Sequence, residues 1–298
     1  MKINICIPVF NEENNLPDVI KNLDDFLSTV SYKDLQLNVV FYDDGSTDNS
    51  LSILKNSKFE VLFGLNNKGL GNAISTLFKH SLENDVDGVI KLDGDGQMDI
   101  SDIDLFLDRL MSKPTDLIQG NRFYRSHSFT PGYLKRFGML FFRIIFRIIG
   151  LKIKDTSNGF IYVSKKWLED FKIIGNYNAA QQIILDTKLR DLTYSEVDVN
   201  IKNREAGKSF IGIKYPFNVL SSMFLLLLYR KTVKFLIIPG LVFLLFAFLF
   251  FVNDVSLWIR QLEQKVISNE ITILTFFLGV QFLSLGSIIE LLKKQKII

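Results

Sequence analysis

Asp93-Gly94-Asp95-Gly96-Gln97, set directly after the apolar run Gly88 to Leu92, is the stretch on which the fold turns. A short β-branched run ending in acids and glycines reads as a buried strand with a polar turn at its carboxyl edge. Two carboxylates spaced i, i+2 across a glycine can both face one hard cation, which takes oxygen ligands and would bridge them to a diphosphate. A solvated acidic turn is the alternative, and a calcium loop would need further acids that the run lacks. Four more runs have the same form: Ile3 to Val9, Leu37 to Tyr42, Phe59 to Phe63 and Asp116 to Gln119. Helical patterns separate them up to about residue 120, which predicts an α/β fold with a mainly parallel sheet and flanking helices. In such sheets the ligand site lies beyond the carboxyl ends of the strands.

The other strand ends carry polar turns as well. The first runs into Pro8-Val9-Phe10-Asn11-Glu12-Glu13, where Asn11 is placed to cap the next helix. The second ends in Asp43-Asp44-Gly45-Ser46-Thr47-Asp48, and capping needs only one of those acids, leaving one spare for a ligand hydroxyl or base amine. After the third comes Asn66-Asn67-Lys68-Gly69-Leu70-Gly71-Asn72-Ala73, which lacks the third glycine of a dinucleotide fingerprint because Ile74 stands there. A glycine turn opening a helix can still offer backbone N–H groups to a donor.

The 298 residues suffice for one α/β domain and an additional part. Lys+Arg of 35 against Asp+Glu of 32 is too balanced for a nucleic-acid partner. Cys6 is the only cysteine, which excludes an intrachain disulfide and a Cys-based zinc site, and it reads as strand filler. His80 and His127 stand far apart and are not read as catalytic. The apolar start is too short for a cleaved signal, so the N-terminal domain is expected in the cytoplasm.

The 48% hydrophobic content collects in the last third, which points to a bilayer. Phe235 to Val252 and Ile271 to Leu292 approach the roughly 20 apolar residues of a spanning helix. Arg230, Lys231 and Lys234 precede the first, and Lys293, Lys294 and Lys296 follow the second, which puts both termini on the cytoplasmic side of a multi-pass membrane anchor. A buried helical pair is the other reading. Expected domains are therefore 1–233, catalytic, and 234–298, the transmembrane hairpin. Two further stretches, about 134–151 with Arg136, Arg143 and Arg147, and 217–229, suit the lipid interface; the first suits a core helix with a basic edge equally well.

Taken together, Pro8 to Glu13, Asp43 to Asp48, Asn66 to Ala73 and Asp93 to Gln97 resemble, in order and spacing, the motifs of the family 2 inverting glycosyltransferases, whose fold is GT-A. Gly120-Asn121-Arg122, Asp155 to Phe160, Glu196-Val197 and Arg204 to Ser209 extend the resemblance, which is strongest to the dolichyl- or polyprenyl-phosphate sugar transferases. It implies a mixed sheet, a hexosyltransferase using a UDP- or GDP-sugar, and Mg²⁺ or Mn²⁺. By position it implies that Pro8, Asn11, Glu12, Asp44, Lys68 and Gly71 bind the nucleotide sugar. Asp93, Asp95 and Gln97 would hold metal and diphosphate, and Arg122, Arg204 and Lys208 would face donor or acceptor phosphate. Asp95, Asp155 and Arg204 are the implied catalytic residues. A polyprenyl-phosphate acceptor is largely ionised near neutral pH and needs no strong base, whereas for a hydroxyl of a lipid-linked or cell-envelope glycan Asp155 is the first candidate base. Asn176 to Gln182, amide-rich and without an acid, departs from the fuller acidic run of lipid-phosphate relatives. A non-catalytic nucleotide-sugar-binding membrane module is the reading from another class.

Overall fold

The structure, a computed structural model, describes residues 1–30, 32, 34–123, 133–175, 179–202, 215–260 and 270–295. They form two compact units, Met1–Met223 and Phe224–Ile298.

In the first unit seven strands make one sheet: β1 (Lys2–Val9), β2 (Gln36–Asp43), β3 (Glu60–Phe63), β4 (Gly88–Lys91), β5 (Leu117–Asn121), β6 (Ile161–Ser164) and β7 (Tyr194–Asp198). Their spatial order is β3-β2-β1-β4-β6-β5-β7. Only β6 runs antiparallel, against β4 and β5. Every run read as a strand is one, to within a residue or two. The antiparallel β6 and the edge strand β7 are not among the runs read as strands; Ser195, Glu196 and Asp198 make β7 too polar to stand out.

The alternate residues Ile3, Ile5, Ile7 and Val9 of β1 are buried on one face. Against it pack Leu16, Leu23 and Phe26 of α1 (Leu16–Thr29), with Phe106 of α4 (Ile103–Ser112) stacked 4.4 Å from Phe160. Each such side chain contributes about 1.5–3 kcal/mol. The opposite face turns Asn4 and Cys6 toward Ser81 of α3 (Leu70–Glu83). Burial pushes the Cys6 thiol up to about 12, which makes it the inert filler expected. The short α2 (Ser50–Lys55) follows β2.

Strand order reverses between β1 and β4, and a crevice outside their carboxyl ends is the switch point of an open α/β sheet. The two acidic turns stand on β2 and β4, with β1 between them.

The middle of the chain supplies α5 (Tyr133–Ile148), α6 (Lys165–Leu168), α7 (Ala179–Leu189) and α8 (Tyr215–Arg230). On α5, Leu140, Phe141, Ile144 and Ile148 form an exposed apolar stripe, while Met139, Phe142 and Phe146 are buried. The helix is thus neither purely core nor purely surface. Residues 179–187 of α7 are buried on every side, so the amides there serve the fold: Gln182 receives the Ile174 N–H at 2.7 Å and donates to its carbonyl at 2.9 Å.

The second unit holds a π-helical turn (Val233–Ile237) running into α9 (Ile238–Ile259), and α10 (Glu270–Lys294). Both helices are long and apolar enough to cross a membrane, about 40 Å for residues 233–259 and about 37 Å for 270–294. They pack closely because a Cβ on Gly279 would lie 2.7 Å from Leu244 Cγ, and one on Gly240 2.9 Å from Leu283 Cγ. Helix α9 continues past Val252, where the apolar run ends. Its Asp254, 1% exposed, accepts the Thr272 hydroxyl at 2.8 Å, so the acid is satisfied between the helices.

Candidate active site at the carboxyl edge of the sheet

The β1 and β2 turns are laced together. Asn11, at φ 54°, donates its N–H to Ser46 Oγ at 2.9 Å and accepts the Thr47 N–H at 2.8 Å. It does not cap α1; Asn15 holds that position without a side-chain capping bond, its Nδ2 donating instead to Glu12 Oε2 at 2.6 Å. Glu12 N–H reaches Ser50 Oγ at 2.8 Å, Glu13 N–H reaches Asp48 Oδ2 at 3.1 Å, and the Glu13 carboxylate receives Asn49 N–H at 3.0 Å. Burial raises the Asp48 carboxyl, but bonds from Ser50 and Glu13 outweigh it and leave the pKa lowered. Asn11 and Thr47 remain exposed and Glu12 half-buried, a polar rim over Pro8.

Both acids of the Asp43-Asp44 pair are buried. Asp43 has Oδ1 accepting Ser46 N–H at 3.0 Å and Oδ2 without a hydrogen-bond partner among the described residues. Asp44, 3% exposed, receives Lys68 N–H at 3.1 Å and Gly69 N–H at 2.7 Å. It therefore holds the Asn66–Gly69 turn and uses the N–H groups that the sequence reading offers to a donor. Gly45 has φ +71°, and a Cβ there would lie 2.5 Å from the Asn66 carbonyl carbon, so the two turns meet through a position open only to glycine. Lys68 is exposed beside this seam, whereas Gly71 is buried in the first turn of α3.

The β4 turn lies against β1: a Cβ on Gly94 would be 3.1 Å from the Pro8 carbonyl oxygen. Asp93 pairs with Lys91 Nζ, and Asp95 Oδ1 accepts Gln97 N–H at 3.2 Å. The chain after β7 closes over the turn, with Lys202 N–H bonded to the Gln97 carbonyl at 2.8 Å. Arg204 and Lys208, just beyond, lie outside the described residues, as does His127. His80 pairs with Glu60 at 2.9 Å, away from these turns. Asp93, Asp95 and Gln97 form a short, oxygen-only donor set, and no group of three His, Cys, Asp or Glu converges among the described residues. That set fits Mg²⁺ or Mn²⁺, which are held by one or two carboxylates together with substrate phosphates rather than by a protein cage.

Arg122 and Asp155 are brought together in a way that changes their reading. Asp155 is fully buried and Arg122 7% exposed; Nε bonds Oδ2 at 2.8 Å and Nη2 bonds Oδ1 at 3.1 Å. Nη2 also donates to Ser157 Oγ at 2.6 Å. This bidentate fork engages both carboxylate oxygens of Asp155 with the Arg122 guanidinium. Behind it, Glu196 accepts Lys154 N–H at 2.8 Å and Asp155 N–H at 3.3 Å; burial raises its pKa and Asp155 adds to the rise. The residue missed in the sequence is Lys91, a lone lysine in the apolar run of β4, buried at 2% exposure.

The sequence model of glycosyl transferase family 2 matches residues 4–172. The chain belongs to glycosyl transferase family 2. This glycosyl transferase is 26% identical over 66% of its length to the UDP-N-acetylglucosamine–dolichyl-phosphate N-acetylglucosaminyltransferase of Methanococcus voltae, 84% of which is covered. It is 28% identical over 62% of its length to a prophage bactoprenol glucosyl transferase homolog of Escherichia coli, of which 59% is covered. Among solved structures it resembles glucosyl-3-phosphoglycerate synthase from Mycobacterium tuberculosis in complex with Mn²⁺, uridine diphosphate and glucosyl-3-phosphoglycerate. The TM-score is 0.57 at 17% identity, covering 77% of this chain and 79% of that one, which shows the shared GT-A fold.

Proposed function

We propose that this glycosyl transferase is membrane-anchored and moves a hexose, with inversion, from a UDP- or GDP-sugar to a polyprenyl phosphate. The observation that carries the acceptor is the closed Arg122–Asp155 fork: the acid implied as base is committed, which favours an acceptor oxygen that arrives ionised. A phosphate monoester does, its second pKa being about 6. The relatives named for dolichyl phosphate and bactoprenol support the same class.

Asn11 and Glu12 and the turn held by Asp44 form the nucleotide side, with Pro8 beneath and Lys68 at the rim. Asp93, Asp95 and Gln97 would hold Mg²⁺ or Mn²⁺, which when bound would neutralise charge on the leaving nucleoside diphosphate. Arg204 and Lys208 serve donor or acceptor phosphate. The acceptor oxygen attacks the anomeric carbon opposite the nucleotide, through a transition state with oxocarbenium character.

Residues 1–233 constitute the cytoplasmic catalytic domain and 234–298 the anchor. Two apolar helices of spanning length, with lysines and arginines at their outer flanks, support this placement. The apolar stripe of α5, flanked by exposed Arg136 and Arg147, suits the lipid interface.

The test is transfer by purified, detergent-solubilised protein from radiolabelled UDP-, GDP- and dTDP-sugars to polyprenyl phosphate, with Mg²⁺, Mn²⁺ or EDTA. The expected result is a lipid-linked product abolished by EDTA. Metal-dependent donor hydrolysis without that product would move the acceptor to a glycan hydroxyl. No metal-dependent donor binding would leave a non-catalytic module.

A further inference from the structure

Lys91 closes β4 at a position where a charged side chain is costly. Its neighbours in register are Cys6 of β1 and Ile161 of β6, and its side chain is 3% exposed. A buried ammonium is tolerated only when paired, and the partner here is the Asp93 carboxylate. The Asp93 side chain is 34% exposed, so only part of that carboxylate is turned into the protein. A third residue closes the arrangement. A Cβ on Gly159 would lie 2.6 Å from Lys91 Nζ and 2.7 Å from Asp93 Oδ2, so the loop before β6 approaches the pair only because that position is glycine. The lysine is thus enclosed from the side of the sheet and from the side of the loop, and its charge is directed at one acid of the Asp93-Gly94-Asp95 turn.

We propose that Lys91 is a positioning residue for the donor site: its buried ammonium holds the Asp93 carboxylate inward at the head of the turn. The inference rests on the assignment of this turn to a metal–diphosphate site. Lys91 and Asp93 cancel each other's charge, so Asp93 adds no net negative charge to the turn. A divalent cation alone is then held weakly, and a cation already carrying a nucleoside diphosphate is not repelled by a surplus of carboxylate. Asp93 has two duties in consequence: it neutralises Lys91 and it faces the donor. Its replacement removes both, and loss of activity in an Asp93 variant is by itself no measure of metal ligation.

The experiment uses the full-length protein in detergent, with Mn²⁺ alone titrated by electron paramagnetic resonance, thermal melting, and sugar transfer measured on the same samples. In Lys91→Met, Mn²⁺ alone binds at least about tenfold tighter because a nearby positive charge is gone. Transfer kcat falls about tenfold or more, and the fold is retained because Asp93 can turn to water. In Asp93→Asn the buried ammonium loses its counter-charge and the melting temperature drops; Lys91→Met with Asp93→Asn recovers it. Unchanged Mn²⁺ affinity in Lys91→Met, or wild-type melting of Asp93→Asn, overturns the proposal. If the wild-type protein transfers no sugar from any donor, the functional assignment fails, while the Mn²⁺ titration and the melting series still decide the role of Lys91.

Discussion

Two aspartates on the same edge of the sheet each face a cation, and they are held in opposite ways. Asp155 has no exposed surface and gives both oxygens to the Arg122 fork, and the guanidinium also donates to Ser157 Oγ. Asp93 meets a buried lysine yet keeps a third of its side chain in solvent. The first arrangement spends an acid on structure. The second leaves part of an acid for a ligand. Neither sequence neighbourhood, Leu92-Asp93-Gly94 or Lys154-Asp155-Thr156, shows whether the acid is enclosed; only enclosure separates a structural ion pair from one that borders a site.

The sharpest way to break this comparison is at the open side. Asp95→Ala should lower sugar transfer by at least about 10²-fold while circular dichroism and melting stay near wild type, since the loss is of charge stabilisation at the leaving group. Retained transfer would remove the β4 turn from the chemistry. At the closed side the expectation is reversed. Asp155→Asn leaves a buried guanidinium without its counter-charge, which costs about 3–5 kcal/mol and lowers the melting temperature on the order of 10 °C. Turnover of the folded enzyme, measured well below that temperature, should stay within a few-fold, whereas loss of a general base would cost about 10²–10⁴-fold.

A smaller effect concerns α5. Cys6 is buried and is the only cysteine, so a fluorophore can be placed selectively at Ile148→Cys. On reconstitution in anionic nanodiscs its emission should shift to the blue, while the same label at Ser101→Cys stays in water. Equal spectra at both positions would leave the exposed stripe unexplained by lipid. The smallest effect is expected behind the fork, at Glu196. Burial raises its pKa, so its favourable contribution is complete below the ordinary value of about 4.5 and is lost as pH rises through the higher folded value. Glu196→Gln keeps the acceptor for the Lys154 and Asp155 N–H groups and removes the buried charge. The variant should melt slightly above wild type at pH 7, with the difference vanishing toward pH 4.

Much of the architecture was legible before any coordinates. The runs ending at Val9, Asp43, Phe63 and Lys91 are apolar, β-branched and bounded by glycine and acids, so local pattern suffices to place them as parallel strands. Strand β6 is an apolar, β-branched run of the same kind and is not read as a strand; its antiparallel place in the sheet is set by pairing with β4 and β5, where Ile118 meets Tyr162 across 44 positions of sequence, while β7 is too polar to stand out. The reach of α9 to Ile259 escaped for a related reason, as its last turns carry Asn253 and Asp254, and the bond from Thr272 that satisfies the acid comes from the other helix.

By itself the sequence determined the family, the order of the polar turns, the oxygen-only character of the Asp93 to Gln97 motif and the two long apolar segments, because each is written in contiguous residues and their spacing. Tertiary structure alone decided which of those polar groups are available. Asp44 is taken up by the Lys68 and Gly69 amides and Asp155 by Arg122, whereas Asn11 accepts from Thr47 and still stays exposed, and Lys91 becomes part of the site through Gly159, which is 68 residues away. The physical reason is that burial and hydrogen-bond satisfaction are properties of surroundings: the same carboxylate is a ligand in solvent and a structural pin beneath two amides, and no window of sequence contains both the acid and the groups that claim it.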